Sequence, residues 1–447
     1  MPDSATNKAD LRALLALINT AAEDAIAAYE NAGCDVPNLD EPSAQPADAL
    51  ELKKAMRLLE GATTQLCATL APPPSVIFTR TMAALEQASL RVAIEAKVAD
   101  LLEQHPAGLH VDAIGAKVGI HGGKLARVLR CLASRHIFRE VAPDIFANNR
   151  LSLFIRSTEP MASLVLMQSD ELNRYSTVPL YDALTDAEYG PSYDNKRTPF
   201  SFGVKDTMPD STVFDWYGHH PDHSARFGRG MVAMASVTEA DTVVKHYPWH
   251  LLPEGSKVCD VGGGVGGVTI KIARSHTHLR LTLQDLPSVL EQARGYWARE
   301  YPKAVEEQRI NFVPIDFFKD TPVEGQDIYY IRQCLHDWPD ADCVKILENI
   351  RKAMLPSSRL IIHEFILQPS VATEDVPSAS LAPKPLLPNY GEGSARKYQQ
   401  DVNMLAVLNA KERTAEELTE LGKQAGLELV RLWDFVDTGL VELKVPA

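Results

Sequence analysis

A chain of 447 residues, 45% hydrophobic and 23% charged, has enough material for two or three domains with cores of their own. Its formal net charge of −14 repels phosphate backbones and anionic lipid, which argues against nucleic acid or a membrane surface as partner. The six cysteines form no C-x-x-C pair, no leader-like segment opens the chain, and no run of about 18 apolar residues occurs, so a cytoplasmic protein with free thiols is expected.

In chain order, residues 9 to 33 place Leu11, Leu14, Leu15, Ile18, Ala22 and Ile26 at three- and four-residue steps, the period of an amphipathic helix. A polar, proline-bearing linker follows. A second helix over 48 to 70 stops at Pro72-Pro73-Pro74. This N-terminal helical extension, 1–72, carries no visible chemistry.

Residues 73–160 read as a long helix (ALEQASLRVAIEAKVADLLEQ), a short one (VDAIGAKVG), a third (GKLARVLRCLASRHI) and a hairpin (IFREVAPDIFANN). Helix, turn, helix and β-wing make a winged-helix layout. Lys124, Arg127, Arg130 and Arg135 on the third helix raise a DNA-binding regulator as one reading. The acidity of the rest of the chain opposes it.

Residues 161–250 read as helices and loops, dense in aromatic and polar side chains suited to a linking or substrate-lining region. His219, His220 and His223 cluster there, but no acidic ligand set accompanies them at helical spacing, so a metal is not expected.

From 251 to 447 short apolar strands alternate with helices: KVCDVG, LRLTLQDL, INFVPID, DIYYIRQCL and RLIIHEFIL are strands. That order implies a Rossmann-like α/β domain with a mostly parallel sheet, beside an all-α N-terminal half. Residues 368–397, rich in Pro, Ser and Ala, read as a flexible insertion.

The chemistry concentrates at the expected strand ends. Asp260-Val-Gly-Gly-Gly-Val-Gly-Gly267 joins the first strand to the first helix, where glycines let a ligand approach the main chain and a helix N-terminus offers N–H groups to an anion. Gly262, Gly264 and Gly267 also satisfy G-x-G-x-x-G, which leaves a nicotinamide oxidoreductase open. Asp285 ends the second strand, placed to accept ribose hydroxyls; Asp316 and Phe317 follow the third, placed to receive an adenine. His336 and Asp337 close the strand of YYIRQCLHDW on the same edge. An imidazole there can take a hydroxyl proton near neutral pH.

Taken together, DVGGGVGG, LQDLP, PIDFF, RQCLHDW, the EF of IIHEFIL, DVNMLAVLNAKERTAEELTEL and QAGLELVRLW resemble the metal-independent O-methyltransferases of plants and fungi, of the caffeic-acid and isoflavone type, and most of all their fungal secondary-metabolism branch. The resemblance runs from about residue 75 to the end. It implies S-adenosylmethionine as cofactor, S-adenosylhomocysteine as its product, a phenolic or polyketide-like acceptor hydroxyl, and no metal. It assigns cofactor binding to Gly262, Gly263, Gly264, Asp285, Leu286, Asp316, Phe317 and Arg332, and substrate binding to Asp337 and Met404. His336 takes the place of the general base, with Glu364 and Glu412 as its flanking acids. The winged-helix-like region becomes a homodimerisation domain, not a DNA reader. One departure stands out: Ala410 replaces the glycine usual beside Glu412.

Overall fold

The computed structural model describes residues 4–42, 46, 49–238, 240–371 and 381–446. They form two compact units: Ala22–Leu52 with Thr63–Val237, and Met1–Ala21 with Lys53–Ala62 and Thr238–Ala447. The units divide the expected 1–72 extension between them.

The triple proline ends one helix, Leu50–Leu70, and starts the next, Pro73–Thr81, because a proline at a first helical position lacks only a hydrogen bond that no helix makes there. The single long helix expected after it is two, Ala83–Glu95 and Val98–Glu103, broken at Lys97 with a left-handed φ of 51°. On either side of the break Ile94, Val98 and Leu102 share one core with Leu125, Leu129 and Phe146. A helical period carries no signal for a break without glycine or proline. Helices Val111–Val118 and Gly122–Ala133 follow, then a small antiparallel sheet of β1 (Leu109–His110), β2 (Arg139–Ala142) and β3 (Ile145–Ala147), in the order β1-β3-β2. This is the expected winged-helix layout. Arg130 is paired with Glu140 and Asp144, and Arg135 with Glu86, so two of its basic residues are engaged within the protein.

The region up to Val237 is helical, as the sequence suggests, with an unusual π-helical stretch at Gln168–Thr177. The ring Nδ1 atoms of His219 and His220 face the carbonyls of Asp215 and Trp216 at 2.9 and 2.7 Å. Among the described residues, these histidines belong to no cluster with metal-ligand spacing.

The second unit is the expected α/β domain. Its strands are β4 (Lys257–Val261), β5 (Arg280–Asp285), β6 (Ile310–Pro314), β7 (Ile328–Arg332), β8 (Arg359–Leu367), β9 (Arg413–Thr414), β10 (Glu428–Asp434) and β11 (Thr438–Lys444). The sheet order is β10-β11-β8-β7-β4-β5-β6, with β9 beside the end of β8. Strands β4 to β8 run parallel, and the β10–β11 hairpin closes one side antiparallel. Successive residues of β7 enter opposite cores: Ile328 and Tyr330 on one face, Tyr329 and Ile331 on the other. Burial on both faces is why these strands read as continuous apolar runs. Parallel direction brings the C-terminal ends of β4 to β8, and everything attached to them, to one edge.

The insertion reading is corrected in part. Residues 372–380 lie outside the described residues, but 391–394 form a 3-10 turn and Ala395–Leu408 a helix, with Tyr390, Ser394 and Lys397 buried. This segment packs on the chain around Arg57, whose guanidinium lies 4.0 Å from the Tyr390 ring centre. A Cβ on Gly61 would meet the Tyr390 carbonyl oxygen at 2.4 Å, and one on Gly393 would meet that of Arg57 at 2.0 Å. These two glycines serve a close backbone approach.

Candidate active site

The glycine turn follows β4. Gly262 and Gly264 have left-handed φ of 70° and 59°, a conformation that side chains with a Cβ adopt at a cost of roughly 1–2 kcal/mol. A Cβ on Gly263 would strike the Asp260 carboxylate at 2.4 Å. Asp260 lies buried under the turn, accepting a short hydrogen bond from the Thr269 hydroxyl. Its pKa is raised to about 7 by burial, which outweighs that bond and the Arg332 charge. Asp285, at the end of β5, accepts the Gly264 N–H at 2.8 Å and the Leu286 N–H at 2.7 Å. Its carboxylate is thereby fixed against the turn, and Leu286 is half exposed beside it.

Phe317 reaches the same place from the end of β6. A Cβ on Gly262 would lie 3.3 Å from the Phe317 ring and equally far from Cys334 Sγ, whereas the space beside Gly264 is open to at least 4 Å. Asp316 is turned toward Lys319 at 2.6 Å and also accepts the Phe318 N–H. Arg332, at the end of β7, donates to the Thr238 hydroxyl at 2.6 Å, while its buried Nε has no hydrogen-bond partner among the described residues. Positive-φ glycines, a strand-end carboxylate, an aromatic ring and a guanidinium thus gather near the turn, the kinds of group that suit a nucleoside with a charged tail.

His336 does not close a strand, as its sequence context suggests. β7 ends at Arg332, Gln333 takes a φ of 43°, and His336 rides on a 3-10 turn, Leu335–Asp337. The imidazole is nearly buried. Its Nδ1 faces Glu412 Oε1 at 2.8 Å and Glu364 Oε2 at 3.7 Å, and its Nε2 lies 3.5 Å from Asp337 Oδ1. Glu364 also accepts the N–H groups of Cys334 and Leu335, both at 3.0 Å, so it holds the turn as well as facing the ring. Burial alone would depress the imidazole pKa, but the charges of Glu364, Glu412 and Asp337 outweigh it and raise it to about 10. Burial in turn pushes Glu364 up to about 7.

Glu412 arrives on a loop fixed at both sides. Its N–H donates to Asp401 at 2.9 Å, and Thr414 and Glu417 form a reciprocal capping box on the helix Ala415–Gln424. The glycine-to-alanine departure brings no left-handed backbone strain, because the left-handed residue is Asn409, with φ of 52°, and not Ala410. Met404 is buried on the helix of Asp401. The sequence reading missed Asp401, Thr238 and Arg413. Each acts through a backbone contact or a partner distant in sequence, and only the T-x-x-E of the capping box was legible as a pattern.

Glycine turn, strand-end aspartate and buried histidine share one sheet edge, the arrangement of a nucleoside-binding α/β enzyme. Residues 194–428 match the model of the O-methyltransferase domain, and residues 81–156 that of the O-methyltransferase dimerisation domain. The chain is 41% identical to 3-O-methyltransferase 2 of Phanerochaete chrysosporium over 443 residues, covering 97% of each. It is 30% identical to sterigmatocystin 8-O-methyltransferase of Aspergillus parasiticus over 368 residues, covering 81% of this chain and 79% of the relative. The crystal structure of OxaC with S-adenosylhomocysteine (SAH) and oxaline superposes with a TM-score of 0.68 at 23% identity, covering 97% of this chain and all of that one. The chain belongs to the O-methyltransferase family and is an S-adenosylmethionine-dependent enzyme. Nothing supports the nicotinamide or DNA-binding readings. Among the described residues, no helix is long and apolar enough to cross a membrane.

Proposed function

We propose that the enzyme methylates a hydroxyl of a phenolic or polyketide-like small molecule, with His336 as the base that takes the hydroxyl proton. The observation that carries this reading is the Nδ1 contact to Glu412. Once the cluster has given up its proton, an imidazole whose Nδ1–H donates to that carboxylate carries its lone pair on Nε2. When bound, S-adenosylmethionine supplies an electrophilic methyl group on a positively charged sulfur. What remains for the chain is to hold the acceptor oxygen in line and to receive its proton. A phenol with a pKa near 10 gives that proton up to an imidazole that three carboxylates make unusually basic.

Gly262, Gly263, Gly264, Asp285, Leu286 and Phe317 would hold the cofactor, with Asp316 available once turned from Lys319. The Arg332 Nε, without a hydrogen-bond partner among the described residues, supports a role toward the cofactor's carboxylate. Asp337, facing Nε2, and Met404 are assigned to the acceptor side. A relative named for the 8-O-methylation of sterigmatocystin supports the acceptor class. The dimerisation-domain match supports a homodimer of two such chains, and six free cysteines support a reducing, cytoplasmic setting.

His336, Glu364 and Glu412 also place possible ligand atoms within 4.8 Å of one another, the spacing of a metal cluster. A metal at Nδ1 would have to displace the hydrogen bond to Glu412, and the proposed reaction leaves it no task. Transfer of a labelled methyl group to a panel of phenols, with and without chelator, tests the reading. Labelled phenolic ether in both samples is expected. Loss of product with chelator would favour the metal, and an unlabelled panel would overturn the acceptor class.

A further inference from the structure

The turn that carries His336 is held from two sides by groups of opposite chemistry. Glu364 accepts its N–H groups at Cys334 and Leu335. On the other side Arg413, whose side chain is 1% exposed, donates Nη1 to the Leu335 carbonyl at 2.9 Å and Nη2 to the Trp338 carbonyl at 2.7 Å. These two carbonyls bracket His336. The same guanidinium donates Nε and Nη2 to one oxygen of Asp340 at 3.0 and 2.8 Å, at the start of the helix Asp340–Ala353. Arg413 is also the residue after Glu412, on β9, which pairs with the end of β8 two residues beyond Glu364.

From this we infer that Arg413, backed by Asp340, is a positioning residue of the methyl-transfer site: it locks the His336 turn to the strand that delivers Glu412. The inference rests on His336 as the base. A planar fork is needed, because two carbonyls and a carboxylate are reached at once in fixed directions. A lysine keeps the charge but presents a single flexible point. Without the fork the turn keeps its anchor on Glu364, while the imidazole loses its fixed distance to Glu412. Misplacement of a catalytic group by about 1 Å costs on the order of 100-fold in rate.

Arg413→Lys is expected to lower kcat by about 10- to 100-fold, with KM for S-adenosylmethionine within about threefold; because the carboxylates hold the His336 proton up to about pH 10, activity should rise with pH as it is lost, and in the variant that rise should move toward lower pH. Asp340→Asn, which removes the backing charge and spares the fork, should give a smaller loss in the same direction. It also serves if Arg413→Lys does not fold. The decisive readout is coupling. In a His336→Ala background the further loss from Arg413→Lys, or from Asp340→Asn, should nearly vanish, because there is no base left to position. A full and independent loss in that background, or an unshifted pH profile with all of the effect in KM, would overturn the assignment. If His336→Ala itself left turnover intact, the reading of the base would fail instead.

Discussion

The glycine turn and the His336 cluster lie on one sheet edge and are built on opposite plans. The turn, residues 262 to 267, is contiguous in sequence, and the space beside Gly264 is left open. What it presents is backbone, fixed by one carboxylate from the next strand. The cluster joins His336 to Glu412, 76 positions away, and what it presents is a side chain buried among acids. A site of main-chain groups tolerates a modest change in a neighbouring side chain. A site of coupled charges does not, because each buried group sets the protonation of the others.

That contrast sets the expected order of effects. His336→Ala should lower kcat by about 100- to 10,000-fold, the usual worth of a positioned base, with cofactor affinity by calorimetry near that of the native enzyme. Glu412→Gln should come next and change the pH dependence as well. In the native enzyme the cluster's carboxylates hold the imidazole proton up to about pH 10, so activity should rise with pH as the cluster gives up a proton. Removing one negative charge lowers the imidazole pKa, so in Glu412→Gln the rise moves to lower pH and ends on a lower plateau. A rise that stayed in place would separate Glu412 from the titration. At the glycine turn, Asp285→Ala should weaken S-adenosylmethionine binding by about 1.5–3 kcal/mol while sparing the pH profile, as expected for lost charge-assisted hydrogen bonds. The smallest effect on turnover at saturating cofactor is expected from Gly264→Ala, where strain of about 1–2 kcal/mol from the left-handed backbone should appear as a lowered melting temperature and the added methyl, in the space proposed for the cofactor, as weaker S-adenosylmethionine binding. Should this variant instead cost more turnover than Glu412→Gln, the division between a tolerant turn and an intolerant cluster would not hold.

The same contrast explains what the sequence made legible. The parallel sheet was readable because buried strands leave continuous apolar runs, and the glycine turn because its chemistry is adjacent in sequence. His336, Glu364 and Glu412 were found only together with the motifs around them, since no single one of them is distinctive. Arg413 was invisible: a basic residue in a polar stretch reads as solvated, and only the fold reveals carbonyls at both ends of a turn waiting for it. The break at Lys97 and the ordered part of 381–397 were missed for a related reason. Tertiary contact, not local propensity, sets the first, and a run of prolines and small residues hides the glycine-mediated contact of the second with the chain around Arg57.

Dependence of the His336→Ala defect on the acidity of the acceptor tests the base assignment most directly. Single-turnover rates of native and variant enzyme would be compared on a series of substituted phenols of falling pKa. If His336 removes the hydroxyl proton, the defect should shrink steadily and nearly close for phenols already ionised at the assay pH. A defect of the same size across the whole series would mean that the imidazole only shapes the site, and the account of the cluster as a proton acceptor would be wrong.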